Sequence, residues 1–155
     1  MHPVEQHEER RVVSKEQHVT RHQGFQKSNT CGRAIDLDPN YAAAYAALGG
    51  SHFEILVSGW TEFRQEELEQ AVALAQKALA LDPTTTSAYR LLAFINMYKR
   101  RYDLALGQIG HALEINPRDV DGYHTRGKIL VFAGRAREAV PWLAPLRPRP
   151  PADGE

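Results

Sequence analysis

A single cysteine, Cys31, stands among 155 residues, which excludes an intrachain disulfide and a thiolate-rich metal site. Nothing in the chain demands an oxidising compartment, so a reducing cytoplasm is the expected setting. Long apolar runs are missing as well. None approaches the roughly 20 residues that cross a bilayer, and Met1 to Thr30 holds none of signal-peptide length. Net charge is also absent, because nineteen Lys and Arg balance nineteen Asp and Glu. With no long-range field to attract them, neither nucleic acid nor a membrane is expected as a partner.

Catalytic signatures are missing in turn. Gly49-Gly50 is not followed by the Lys-Ser or Lys-Thr of a phosphate loop, and no Gly-x-Ser-x-Gly elbow or cysteine-histidine dyad occurs. Seven histidines raise the question of a metal, and His18 with His22 has the i, i+4 spacing that places two rings on one helical face. No third ligand joins them in a recognised pattern. The sequence therefore predicts no catalytic residue, no metal and no cofactor; the chain is not expected to be an enzyme.

What the sequence does have is an internal repeat. Asp38-Pro39, Asp82-Pro83 and Asn116-Pro117 mark three breaks, the last two prolines 34 residues apart. Ala71, Ala105 and Ala139 step by 34 twice, and Tyr45, Tyr89 and Tyr123 step by 44 and then 34. Each proline lacks an amide hydrogen and biases the residue before it away from helix, so each step closes one hairpin and opens the next. Leu48, Leu92, Ile95, Leu104, Ile109, Leu113 and Ile115 recur at helical spacing and are expected to line the seam. Small residues at Gly49, Ala71, Ala93, Ala105, Ala112 and Gly127 would let paired helices approach closely. Thr86 and Asp119 are candidate N-caps, and Gly134 suits a tight turn.

These residues resemble the tetratricopeptide family, whose helix-turn-helix unit carries an aromatic, a Leu-Gly pair three residues on, a later Ala-x3-aromatic and a closing Pro. Repeat two (86–119) fits without a gap: Tyr89-x2-Leu92-Ala93, Ala105-x3-Ile109, Ala112 and Pro117. Repeat one (42–85) has Tyr45-x2-Leu48-Gly49, Ala71-x3-Ala75, Ala78 and Pro83, with 10 extra residues between its helices, placed at 55–64. Repeat three (120–146) has Tyr123, Gly127, Ala139 and Leu143, but Arg126 replaces the expected Leu and Pro141 falls inside its second helix. A half-repeat (33–41) precedes them. Residues 1–32 are read as a polar segment, disordered or loosely helical, and 147–155 as a Pro-rich tail.

The resemblance implies an all-α, right-handed superhelical stack of hairpins acting as a protein-interaction scaffold. It also implies a concave groove lined by positions 2, 5, 9, 12 and 13 of each repeat. In repeat two these are Ser87, Arg90, Phe94, Met97 and Tyr98; in repeat three, Asp121, His124, Lys128, Val131 and Phe132. Repeat one supplies Ala43, Ala46, Gly50, Phe53 and Glu54. The candidate groove is therefore Arg90, Phe94, Met97, Tyr98, Asp121, His124, Lys128 and Phe132, suited to a peptide with an acidic group and an apolar anchor. Chaperone-tail binding is not predicted, since Phe94, Asp121 and Thr125 stand where that clamp has Asn, Lys and Arg. The Gly59-Trp60 insertion resembles, more weakly, the repeat regions of bacterial class III adenylate or guanylate cyclases, which implies as alternative a regulatory appendage of a cyclase or winged-helix regulator. Uncapped ends would allow homo-oligomers.

Overall fold

Three identical sets of hydrogen bonds build the Asx-Pro steps that punctuate the chain. A computed structural model describes residues 26–59 and 61–143. At each step the Asp or Asn N–H donates to the carbonyl four residues back, closing the preceding helix: Asp38 to Ala34, Asp82 to Ala78 and Asn116 to Ala112, each at 2.9 Å. The same side chain then accepts the N–H two residues on, from Asn40 at 3.0 Å, Thr84 at 2.8 Å and Arg118 at 3.2 Å. This is the Asx-turn, available only to a short side chain with an oxygen at that reach. Hydrogen bonds from the Thr84 hydroxyl and amide hold the Asp82 carboxyl below its usual range. In two steps the following tyrosine returns to the proline: Tyr45 Oη donates to the Pro39 carbonyl at 3.1 Å and Tyr123 Oη to that of Pro117 at 2.7 Å.

Between the steps run helices. They are α1 (residues 26–37), α2 (Ala42–Val57), α3 (Arg64–Leu81), α4 (Thr86–Tyr98), α5 (Tyr102–Ile115), α6 (Val120–Phe132) and α7 (Ala136–Leu143), and no strand occurs among the described residues. α2 pairs with α3, α4 with α5 and α6 with α7, and successive hairpins stack. Along the stack α2 touches α4 and α4 touches α6, whereas α3, α5 and α7 do not touch one another. The first helices therefore lie on the inner side. The helix of the half-repeat is already present at residue 26, and it pairs with α2 through Lys27 and Glu54, 3.6 Å apart.

The core is made of alanine. Ala71, Ala75, Ala78, Ala88, Ala93, Ala105, Ala112 and Ala139 are fully buried, with Leu56, Ile95, Ile109 and Ile129 the largest side chains sealed among them. Close helix approach is the reason for the small residues. A Cβ on Gly49 would sit 2.8 Å from Leu91 Cδ2 and 3.1 Å from the Ala71 carbonyl oxygen, and one on Gly127 would sit 2.5 Å from Leu143 Cδ2. Leu104 departs from the expectation: it is 56 % exposed, on the outer side of α5's first turn. Leu113, Ile95 and Ile109 are buried as expected, and Leu48, Leu92 and Ile115 are half-buried.

The 10 extra residues of repeat one do not form a separate interruption. Compared with repeat two, three lengthen α2, four lengthen α3 and three widen the turn, because Leu56 is drawn into the core at 1 % exposure. His52 Nδ1 and Glu67 Oε2, 2.6 Å apart, pin the lengthened helices together. Trp60, which carries the cyclase-like resemblance, lies outside the described residues, as do His18, His22 and the Pro-rich tail.

Of the two candidate caps, Asp119 holds the N-cap position of α6 and Thr86 does not hold that of α4. α4 starts at Thr86, so Thr85 holds the cap position, and neither Thr85 nor Asp119 donates or accepts a side-chain cap bond; the Asp119 carboxylate turns instead to Arg90. Arg126, the odd residue of repeat three, has a partner in its own hairpin. Its guanidinium lies 4.4 Å from the centroid of Trp142, whose ring stacks on Tyr123 at 5.7 Å. The helix carries Pro141 through to Leu143, where Trp142 is positioned.

Gly134 occupies the left-handed region (φ 76°), and so does Arg100 (φ 58°), 34 residues earlier. Both close their helices with the paired bonds of a Schellman turn: Arg100 N–H to Met97 O and Arg101 N–H to Asn96 O, at 2.9 and 2.8 Å, match Gly134 to Val131 and Arg135 to Leu130. The Arg100 side chain is exposed, so only backbone strain distinguishes the two positions. Arg100→Gly is expected to raise unfolding free energy by about 1 kcal/mol in urea denaturation. A fall in stability would show that the Arg100 side chain makes contacts that outweigh the strain.

A candidate binding cleft on the inner face

Small side chains on α2 leave room that the neighbouring helix does not fill. Ala43, Ala46, Ala47 and Gly50 floor a cleft of about 520 Å³ between α2 and α4, walled by Phe53, Leu91 and Phe94 and bounded by Glu54, Val57, Ser87 and Arg90. These residues recur every three or four positions along α2, which places them on one face. Phe53 stacks on Phe94 with centroids 6.5 Å apart and packs perpendicular to Tyr98 with centroids 6.0 Å apart. The Tyr98 hydroxyl accepts a bond of 3.3 Å from Arg64 Nη2, so the aromatic group is fixed at both ends. Gly50 faces open space: a Cβ there would meet nothing within 4 Å.

Electrostatics at the cleft differ from the sequence expectation in one respect. Arg90 Nη1 lies 3.4 Å from Asp119 Oδ2 and 3.6 Å from Asp121 Oδ2, so its charge is matched within the chain before any ligand arrives. Asp119 is only 11 % exposed, which strengthens its pairing relative to a surface bridge. Sequence reading placed Asp121 among the groove residues and missed Asp119 as the closer partner; the signal was its place at the end of the Asn-Pro step, where the chain turns back toward α4.

Of the candidate groove residues, Arg90 and Phe94 line the cleft, and Tyr98 joins through Phe53. Met97 packs sideways against the cluster of Ala93, Ile109 and Ile129. His124 is half-buried on α6, while Lys128 and Phe132 are exposed there, Phe132 at 64 %. The structure does not bring the α6 residues into the lining of this cleft. Ala47, Leu91 and Val57 line it without having been anticipated.

A second hollow, about 460 Å³, lies between α1 and α2 and includes Cys31 and Ser51. Burial pushes the Cys31 thiol up, the opposite of what a reactive thiolate needs. Among the described residues no cluster of His, Cys, Asp and Glu has the geometry of a metal site, and no helix is long and apolar enough to cross a membrane.

Comparison with known proteins places the fold. No family model matches the chain. The cell division cycle protein 27 homolog of Caenorhabditis elegans is 35% identical over 85 residues, covering 55% of this chain and 10% of that protein. Among solved structures, MamA superposes with a TM-score of 0.54 at 24% identity over 75% of this chain and 62% of its own. YrrB, described as a TPR protein with an unusual peptide-binding site, gives 0.57 at 23% identity over 74% of this chain and 54% of its own. The chain thus spans a tenth of the curated relative it matches and little more than half of these solved neighbours. Its fold is that of the tetratricopeptide repeat.

Proposed function

We propose that this chain is a non-catalytic interaction module that seats a segment of another polypeptide along its inner face, with the α2/α4 cleft as the anchor pocket. The observation that carries this reading is the open cleft itself, floored by Ala43, Ala46 and Gly50 and walled by Phe53 and Phe94. An apolar side chain entering it would exchange water for aromatic and methyl surface at about 25 cal/mol per Å². Ser87 and Glu54 at its margin offer polar contacts to the segment's backbone or flanking side chains. YrrB's described peptide-binding site supports the reading at the level of fold.

Because Arg90 is already matched by two carboxylates, an acidic group on the ligand is not required here, and the apolar anchor dominates recognition. Gly50→Leu is the test. Gly50 lines the cleft and a Cβ there meets nothing within 4 Å, so the added side chain starts into the cleft unobstructed. Peptides selected from a random library on the wild-type chain are expected to lose affinity about tenfold or more on the variant, while its thermal midpoint does not fall. Peptides that bind Gly50→Leu as tightly as wild type would move the binding surface elsewhere.

A further inference from the structure

The chain is neutral overall, yet its charge is not spread evenly. α5 and α6 run antiparallel, Leu113 lying at Gly122 and Arg126 at Gly110, which brings the α4–α5 turn and the α6–α7 turn to the same edge of the stack. The first contributes Lys99, Arg100 and Arg101, the second Arg135, and Arg137 follows in the first turn of α7; all five are exposed. The two turns are electrostatic neighbours, for the Arg135 guanidinium is held above its usual range first by its bond to Glu138 and then also by the charge of Asp103, at the start of α5. Arg135 is committed to Glu138 through Nε at 2.8 Å. Among the described residues, Lys99, Arg100, Arg101 and Arg137 take part in no ion pair. The two turns thus carry five cations against the carboxylates of Asp103 and Glu138, with Glu69 of α3 lining a hollow beside Lys99, and they adjoin two large apolar side chains that the fold leaves in water: Phe132 at 64 % and Leu104 at 56 %.

We propose that this turn edge is a second interaction surface, separate from the cleft, that docks an acidic protein segment in which carboxylates alternate with apolar side chains. Charge complementarity gives the sign of the partner, and Phe132 and Leu104 give its apolar component. The two embedded carboxylates, Asp103 and Glu138, select a polypeptide over a uniform polyanion. A phosphate backbone or an anionic lipid surface presents negative charge at every position and meets both carboxylates, whereas a peptide can place neutral residues opposite them.

The probe is a fluorescein-labelled synthetic peptide of alternating Glu and Leu or Phe, measured by anisotropy against the full chain. The controls are the same peptide with Lys for Glu, a thymidine oligonucleotide, and vesicles of mixed phosphatidylserine and phosphatidylcholine. The acidic peptide is expected to bind more tightly than all three, and to weaken about tenfold when salt is raised severalfold above the physiological level. Arg101→Glu with Arg137→Glu is expected to weaken it about tenfold or more, and Arg101→Gln with Arg137→Gln by a smaller factor, with unchanged helical circular dichroism in both. Gly50→Leu is expected to leave this affinity unchanged, which separates the edge from the cleft. Equal binding of the basic peptide, tighter binding of oligonucleotide or vesicles, full affinity in both double variants, or loss in Gly50→Leu would each overturn the proposal.

Discussion

Ile109→Ala is expected to lower the unfolding free energy by about 3–4 kcal/mol, a large share of the roughly 5–15 kcal/mol that holds a typical domain together. Ile109 is fully buried among Ala93, Ala105, Ala112 and Ile129, with Tyr89, Met97, Tyr102 and Leu106 around them. Three of the four sealed neighbours are alanines, whose methyl groups are fixed to helix backbones and cannot swing into the vacated space. The cavity therefore persists, and its cost adds to the lost transfer energy. Leu104→Ala, five residues earlier on the same helix and 56 % exposed, is expected to change stability by less than about 0.5 kcal/mol. Urea denaturation of both variants checks the pair. Similar losses at the two positions would mean that α5 presents a different face to the core.

That contrast also shows what the amino-acid pattern revealed and what it did not. Asp38-Pro39, Asp82-Pro83 and Asn116-Pro117 are legible because both residues act locally, the first through an Asx-turn and the second through its missing N–H; no distant contact is needed to read them. Small residues at Gly49, Ala93 and Gly127 are legible for a related reason, since a helix crossing tolerates little else. Leu104 misled because helical spacing alone cannot tell the inner stripe of a second helix from the flank beside it. The lengthening of α2 and α3 was hidden by Gly59 and Trp60, which read as breakers, while the register that draws Leu56 into the core depends on α3 being present. Arg90 is the most instructive case for the site. Its place in the groove follows from its position in the repeat, but its pairing with Asp119 and Asp121 depends on how α6 stacks on α4, and that pairing changes the kind of ligand the cleft suits.

Gly49 and Gly50 are adjacent in sequence and are expected to respond in opposite directions to the same substitution. Gly49 lies where α2 meets both α3 and α4: a Cβ there falls 2.8 Å from Leu91 Cδ2 and 3.1 Å from both the Ala71 carbonyl oxygen and Leu74 Cβ. Leu91 is itself buried at 6 %, and the Ala71 oxygen belongs to a helix backbone, so neither neighbour can yield cheaply. Gly49→Leu is expected to cost about 3 kcal/mol or more, through overpacking that forces the helices apart. Gly50→Leu, on the open side of the same turn, is expected to add about 0.5–1 kcal/mol by removing a flexible residue from a helix interior. Thermal denaturation followed by circular dichroism reads both. If the two variants shift the midpoint in the same direction, α2 is rotated from the orientation described, and the cleft that depends on that orientation is lost with it. If they diverge, one helix face is shown to be closed against α3 and α4 while the adjoining face stays open, which is the condition the cleft requires to admit a ligand side chain.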